Sequence, residues 1–322
     1  MNEQLNAAAA AAAGDQSDDD EDTSNSNNRE SFACPRHDFR MNLTATERHE
    51  ALAIKTAIEA CPDIDDLPDF DYVQLALVDH SNVERALERA RHFQTVRAEY
   101  GFQDSYDENV RLVEHFMQLM PKFMLDLAYN QDEGNYILVV DIANFEETKI
   151  RTVEDDKALM GTALNIGHFL CPDFFAIRQG AYAVMETEGY NWKQYTMKTR
   201  RRIWQEVLGI YPVNVKQLKY FNTGLVANLA ASLMKRFLPL ELFSKIQVGC
   251  TFSNGGRLDT FYAVPSHQVA NQRFQARAKQ CLQIRYEHRR TFRLNPDEQQ
   301  DGEQAEQQQV GQPQTAGDVE EP

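Results

Sequence analysis

The order of apolar and polar residues predicts helices that alternate with strands over most of the chain. Apolar residues recur at steps of three and four within residues 51–58, 83–100 and 109–120, which is the spacing of one helical face. A continuous apolar run before Asp141 predicts a buried strand, and a further helix is expected over 155–168. This alternation is typical of an α/β domain.

A short strand predicted at 181–186 has two contrasting faces. Strict alternation puts Ala181, Ala183 and Met185 on one face and Tyr182, Val184 and Glu186 on the other. Two alanines and an adaptable methionine leave space above the sheet. That space suits the wall of a cavity, and it suits a helix that lies close on the strand equally well.

The segments after this strand continue the alternation. A helix is predicted over 192–208, a half-exposed strand over 215–222, an amphipathic helix over 225–237 and a last strand over 245–250. Ser266 then caps a long basic helix that ends near residue 290.

Short signatures follow one another in a fixed order along these segments. They are Glu186-Thr187-Glu188-Gly189, Tyr211-Pro212, Tyr220-Phe221-Asn222, Lys235-Arg236-Phe237-Leu238-Pro239 and Lys245-Ile246. In this order they resemble the CRAL-TRIO lipid-binding domains, a family that includes tocopherol, retinaldehyde and phosphatidylinositol transfer proteins, and the resemblance covers about residues 67–250. The chain departs from the family after the last strand, where Gly255-Gly256 leads to residues 261–265 and a long helix.

The resemblance implies a mixed β-sheet, flanked by helices, that forms the floor of an apolar cavity. A helical N-terminal module over 42–120 would precede the lipid-binding domain over 121–265, and a basic helix over 266–294 would follow it. Residues 1–41 and 295–322 are acidic tails. They contain too few apolar side chains to offset the entropy of ordering, so we expect both to be disordered.

The resemblance also implies three groups of site residues. The predicted lipid pocket consists of Phe169, Phe174, Ala181, Ala183, Met185, Tyr195, Ile203 and Phe221. The predicted lid helix presents Leu225, Val226, Leu229, Leu233 and Phe237, and the predicted headgroup-binding cations are Lys216, Lys219, Lys235, Arg236 and Lys245. Asn214 and Glu241 stand where the tocopherol-transfer branch has lysine, which weakens the case for phosphoinositide recognition.

The formal charge of −16 is divided unevenly along the chain. Residues 1–30 and 297–322 carry −7 and −8, whereas residues 161–296 hold 19 basic and 7 acidic side chains. A basic half of this size can attract an anionic membrane, or it can face the acidic half across an internal contact. Both readings fit the composition. Nucleic acid is not expected as a partner, because no recognition motif accompanies the charge.

The sequence contains no catalytic constellation, metal-binding spacing or cofactor motif, so we expect neither an enzyme nor a cofactor. His168 and Cys171 could imitate a nucleophile pair, but their apolar surroundings favour a core cysteine. Asp141 and Glu186 are interpreted as structural acids. The five widely spaced cysteines and the absence of a long apolar run predict a cytoplasmic protein in peripheral contact with membranes.

The expected function is to bind a hydrophobic small molecule or phospholipid and to transfer or present it at an anionic membrane, with phosphoinositide recognition as an extension. The alternative is a lipid-sensing scaffold that transfers nothing. Neither the identity of the ligand nor the oligomeric state can be read from the sequence.

Overall fold

The computed structural model describes residues 41–80, 82–130, 135–190, 213–224, 244–250 and 266–295, together with Thr199, Arg202 and Ile203. Within these residues the chain has a mixed α/β fold, as expected. Outside them lie the predicted tails except Met41 and Asn295, most of the helix predicted over 192–208, the lid helix, Tyr195, Lys235, Arg236 and Glu241. The domain boundaries given above stay predictions.

Four helices precede the sheet: α1 (Ala45–Glu59), α2 (Asp69–Asp79), α3 (Val83–Tyr100) and α4 (Tyr106–Leu119). Each of α1, α3 and α4 begins at a side-chain cap. Thr44 and Glu47 form a reciprocal capping box at α1, while Asn82 and Ser105 accept backbone N–H groups of α3 and α4. Helix α2 was not predicted, and it is buried on nearly every side.

The sheet contains β1 (Met124–Asn130), β2 (Asn135–Asp141), β3 (Ala181–Glu186), β4 (Val215–Phe221) and β5 (Ile246–Cys250) in that spatial order. Strand β1 is antiparallel to β2, and the remaining neighbours are parallel. The sheet is therefore mixed, as predicted, although the unpredicted strand β1 precedes the expected first strand.

The described residues contain three further α-helices, besides short 3₁₀ helices at Ile142–Asn144 and Glu147–Lys149. Helix α5 (Val153–Leu170) connects β2 to β3, followed by the short α6 (Phe174–Gln179), and α7 (His267–Thr291) comes after the sheet. Ser266 caps α7 through the amide of Val269, as predicted. Helix α7 packs along β1 and against α4 and α5, so it joins the N-terminal helices to the sheet.

The two faces of the sheet differ in what covers them. The helix face carries Leu138, Val140, Ala183, Leu218 and Tyr220, which belong to one core cluster with helices α1–α7. The back face carries Leu125, Ile137, Val139, Val184 and Phe221. Among the described residues, that second cluster contains only side chains of the strands and their ends.

The arginines of α7 bind acidic residues of the N-terminal half. Arg273 and Arg277 lie 3.1 and 2.6 Å from Asp126 of β1, while Arg289 binds Asp71 and Asp104 at 2.7 and 2.6 Å. For these side chains the structure shows the internal contact between basic and acidic halves. Much of their positive charge is therefore offset within the protein, although Arg273 and Arg277 share the single carboxylate of Asp126.

A chain of polar side chains runs beside these ion pairs, buried at His168, Asn165 and Asn109 and partly exposed at Tyr286 and Asp104. His168 contacts Asn165, Asn165 donates to Asn109, and Asn109 donates to the Tyr286 hydroxyl, which in turn donates to Asp104. Burial alone would raise the pKa of Asp104, but the Arg289 guanidinium holds it well below its ordinary value. The network fixes α5, α4 and α7 relative to one another.

Candidate ligand-binding face of the sheet

The helix face is covered unevenly from β2 to β5. Leu138 on β2 and Ala181 on β3 are 4% and 3% exposed, whereas Met185, Ile246 and Val248 are only half-buried. The described helices lie mainly over β1, β2 and β3. The apolar side chains toward β5 thus form a surface that these helices do not fully cover.

We call this surface the β3–β5 half-face. It consists of apolar side chains that share the helix-facing side of three parallel strands. Its half-buried members are Met185, Val215, Ile246 and Val248, and its buried members are Leu218 and Tyr220, each 6% exposed, on the central strand.

Four of the predicted pocket residues lie in the packed core instead. Phe169 makes an edge contact with Phe274 at a centroid distance of 5.9 Å, and Phe174 stacks on Phe70 at 4.8 Å. Ala181 and Ala183 join the same cluster, where they are 3% and 6% exposed. The alanine face is therefore the close-packed surface beneath helices, which was the second of the two alternatives.

The placement of Phe221 in the same pocket was wrong. Phe221 pairs with Glu186 across β3 and β4, so its side chain lies on the back face with Val184. The cause is the period of two: Tyr220 and Phe221 are neighbours in sequence and must point to opposite sides. Met185 and Ile203 do pack, half-buried, against the helix-face cluster.

The described lysines of the predicted headgroup group do not lie together. Lys216 opens β4 and Lys245 precedes β5, where its carbonyl oxygen accepts from the Leu218 amide at 3.0 Å. Both residues are thus at the amino-terminal edge of the parallel strands. Lys219 is paired with Val184, which places it on the back face, and its grouping with the other two is corrected accordingly.

Gly180 allows the beginning of β3 to lie very close to Asn214 and Lys216 at this edge. Its φ is +81°, and a Cβ at this position would lie 2.5 Å from the Asn214 carbonyl oxygen and 2.6 Å from Cγ of Lys216. Only glycine lets the start of β3 sit against the residues that lead into β4.

The opposite, carboxyl-terminal edge is held by buried acids. Glu186 accepts from the amides of Thr187 and Glu188 and from the Asn222 side chain, each at 2.9 Å. Asp141 accepts from the Ala143 amide and the Asn144 side chain. Both carboxylates therefore hold turns, in agreement with their interpretation as structural acids.

The Cys171 thiol and the His168 imidazole, whose spacing resembles that of a nucleophile pair, are both buried. Burial raises the pKa of Cys171 to about 12, so the thiol keeps its proton at neutral pH. Burial also lowers the pKa of His168 well below its ordinary value. Neither group carries the charge that thiolate chemistry requires.

The described part of the chain contains no group of three or more His, Cys, Asp or Glu side chains arranged to hold a metal ion. Nor does any helix within it combine the length and apolar character needed to cross a membrane.

Sequence reasoning missed five members of the β3–β5 half-face: Val215, Leu218, Tyr220, Ile246 and Val248. The signal was present in the alternation of β4 and β5. The alternation alone does not show which residues of β4 and β5 lie on the same face as Met185. The pairing of the parallel strands shows it, because Met185 is in register with Tyr220.

Comparison with known proteins adds no relative. No protein-family model matches the chain, and no curated protein matches it.

Proposed function

We propose that this chain is a CRAL-TRIO-like lipid-binding protein, and that its apolar ligand lies over the β3–β5 half-face. The single observation that carries the proposal is the uneven cover of the helix face. Fully packed side chains on β2 give way to half-buried apolar ones on β5. A ligand with a long hydrocarbon chain would gain about 0.8 kcal/mol for each CH₂ group buried there.

The connections between the parallel strands also favour the helix face as the side of the sheet that holds the ligand. Helix α5, the connection between β2 and β3, lies on the helix face. Parallel strands joined in sequence have right-handed crossovers, and this rule favours the same face for the two connections that follow. Three residues of the next connection agree with it. Thr199 donates to Glu147 at 2.6 Å, Arg202 binds Asp156 of α5 at 2.8 Å, and Ile203 packs against the helix-face cluster.

The amino-terminal edge supplies the polar end of the proposed site. Lys216 lies in β4 and Lys245 comes directly before β5, so both are adjacent to residues of the half-face. Each cation near an anionic membrane surface contributes about 1 kcal/mol to binding. In this proposal the two lysines contact phosphate headgroups while the predicted lid at 225–237 opens toward the lipid tails. Phosphoinositides are the specific class suggested by the family resemblance.

The proposal is tested by loading the purified full-length protein. It is incubated with vesicles of a total-lipid extract, separated from them and analysed by native mass spectrometry. We expect one lipid per chain and a release of that lipid into acceptor vesicles. Loading without release would indicate the lipid-sensing scaffold, and the absence of any bound lipid would contradict the proposal.

A further inference from the structure

The first and last described residues line one open groove. Residues 41–43 form one side of it and residues 291–293 and 295 the other, with Arg48 between them, and they enclose about 430 Å³. The two acidic segments of the sequence therefore leave the folded part of the chain at the same place.

The groove is basic. Arg48 and Arg293 line it, and Arg290 is exposed one turn earlier on α7. Of the described residues that line the groove, none is acidic. The Arg293 guanidinium donates to the carbonyl oxygens of Arg290 and Phe292, both neutral groups, at 2.8 and 2.7 Å. This differs from Arg289, whose charge is neutralised by two carboxylates.

The sequence contains an occupant of matching charge. Residues 18–22 are five consecutive acids, Asp-Asp-Asp-Glu-Asp, and 18 residues separate them from Met41. A chain of that length without fixed structure spans about 20–25 Å on average, and such a tether gives an effective concentration on the order of millimolar. The C-terminal segment begins with a pair, Asp297-Glu298, and so offers fewer adjacent charges near the groove.

We propose that the acidic run at 18–22 docks in this groove, which we call the arginine groove, within the same molecule. Carboxylates form charge-assisted hydrogen bonds with guanidinium groups, often in bidentate geometry. Bound there, the run would cover the exposed cations at the end of α7 against other anionic partners. The proposed contact does not depend on lipid binding.

The contact is measured by NMR on the ¹⁵N-labelled full-length protein. We expect the transverse relaxation rates of amides 18–22 to be at least twofold higher in 20 mM than in 1 M NaCl, because the screening length falls to about 3 Å at 1 M. The double variant Arg290→Gln/Arg293→Gln should show the low rates already in 20 mM NaCl. Arg290→Gln alone, at an exposed side chain, should show an intermediate value and guards against misfolding of the double variant.

A matched control removes two exposed cations elsewhere. Arg151 and Lys122 are both exposed. Like Arg293, Arg151 donates to a backbone carbonyl oxygen, in its case that of Thr148 at 3.1 Å. Arg151→Gln/Lys122→Gln should leave the rates as in the wild type. The proposal is overturned if the rates are independent of salt, if the arginine variants leave them unchanged, or if the control lowers them equally.

Discussion

Met185 on β3 is in register with Tyr220 on β4, so the two side chains occupy the same face of the sheet. Two residues earlier on the same strands, Ala183 is paired with Leu218, and both are buried. On β3 the boundary between the packed core and the β3–β5 half-face therefore lies between the buried Ala183 and the half-buried Met185.

Ala183 tests the packed side of this boundary. Replacing Ala183 by Leu adds three heavy atoms beneath the helices, and overpacking of this kind costs about 1–3 kcal/mol. We expect a loss of that size in the free energy of unfolding measured in urea. The control is Ala98→Leu on the exposed surface of α3, which should change little. Equal stabilities for the two variants would mean that open space lies above Ala183.

Arg289 tests the link between α7 and the N-terminal helices. Its side chain is 8% exposed and binds both Asp71 and Asp104. Arg289→Ala removes charge-assisted hydrogen bonds but leaves Asp71 bound to Arg285 and Asp104 bound to Arg97, so it should lower the free energy of unfolding by about 1.5–3 kcal/mol. Arg290→Ala, at the exposed neighbouring position, should change it by less than about 0.5 kcal/mol. Similar losses in the two variants would show that the ion pairs contribute little.

The same network predicts an acid-dependent stability. The pKa of Asp104 in the folded protein is held well below its ordinary value of 3.8, chiefly by Arg289 against the opposing effect of burial. A lowered pKa stabilises the folded state above the unfolded value, and that contribution disappears as the pH falls toward the folded value. The stability difference between wild type and Asp104→Asn should therefore be full at pH 6 and shrink below about pH 3.8. Urea unfolding at a series of pH values measures this difference, and a gap that stays constant down to pH 2 would contradict the assignment.

Lys216 and Lys245 test the proposed polar edge. Changing both to Glu reverses two charges at the amino-terminal edge and should reduce binding to phosphoinositide-containing vesicles at least tenfold in a sedimentation assay. Lys219→Glu is the control, because Lys219 lies within β4 and not at the amino-terminal edge. If Lys219→Glu alone weakens binding as much as the double change, the headgroup contact is not at that edge.

Much of the fold could be predicted from local patterns. The continuous apolar run of β2 and the alternation of β3 identify strands, and Ser266 marks the beginning of α7 because its hydroxyl caps the helix. Such signals depend on residues within a few positions of one another. They also predicted the helix over 155–168, which extends as α5 from Val153 to Leu170.

The elements that were missed depend on distant partners. Strand β1 contains Asp126, which interrupts its apolar pattern and is stabilised by Arg273 and Arg277 about 150 residues later. Helix α2 begins after Pro68 and has acids in its first turn, so its sequence is similar to that of a loop between two elements. It is buried on most sides, so it lacks the contrast between an apolar and a polar face that identifies a helix.

The candidate site was predicted less well for the same reason. Alternation shows that Ala181, Ala183 and Met185 share a face, but it does not show where the covering helices end. Nor does it relate Phe221 to that face without the pairing between β3 and β4. The half-face is located only by comparing how deeply the side chains of neighbouring strands are buried beneath the helices.

The most direct measurement of the central claim compares two adjacent residues of β5. Val248 lies half-buried on the β3–β5 half-face, while Gln247 is exposed and points to the opposite side. Uptake from total-lipid vesicles is measured by native mass spectrometry for Val248→Glu and Gln247→Glu, after circular dichroism has confirmed that both variants fold. A charge placed against the bound hydrocarbon should reduce uptake at least tenfold in Val248→Glu and leave Gln247→Glu like the wild type. Equal uptake by the two variants would contradict the claim that the ligand lies over this half-face.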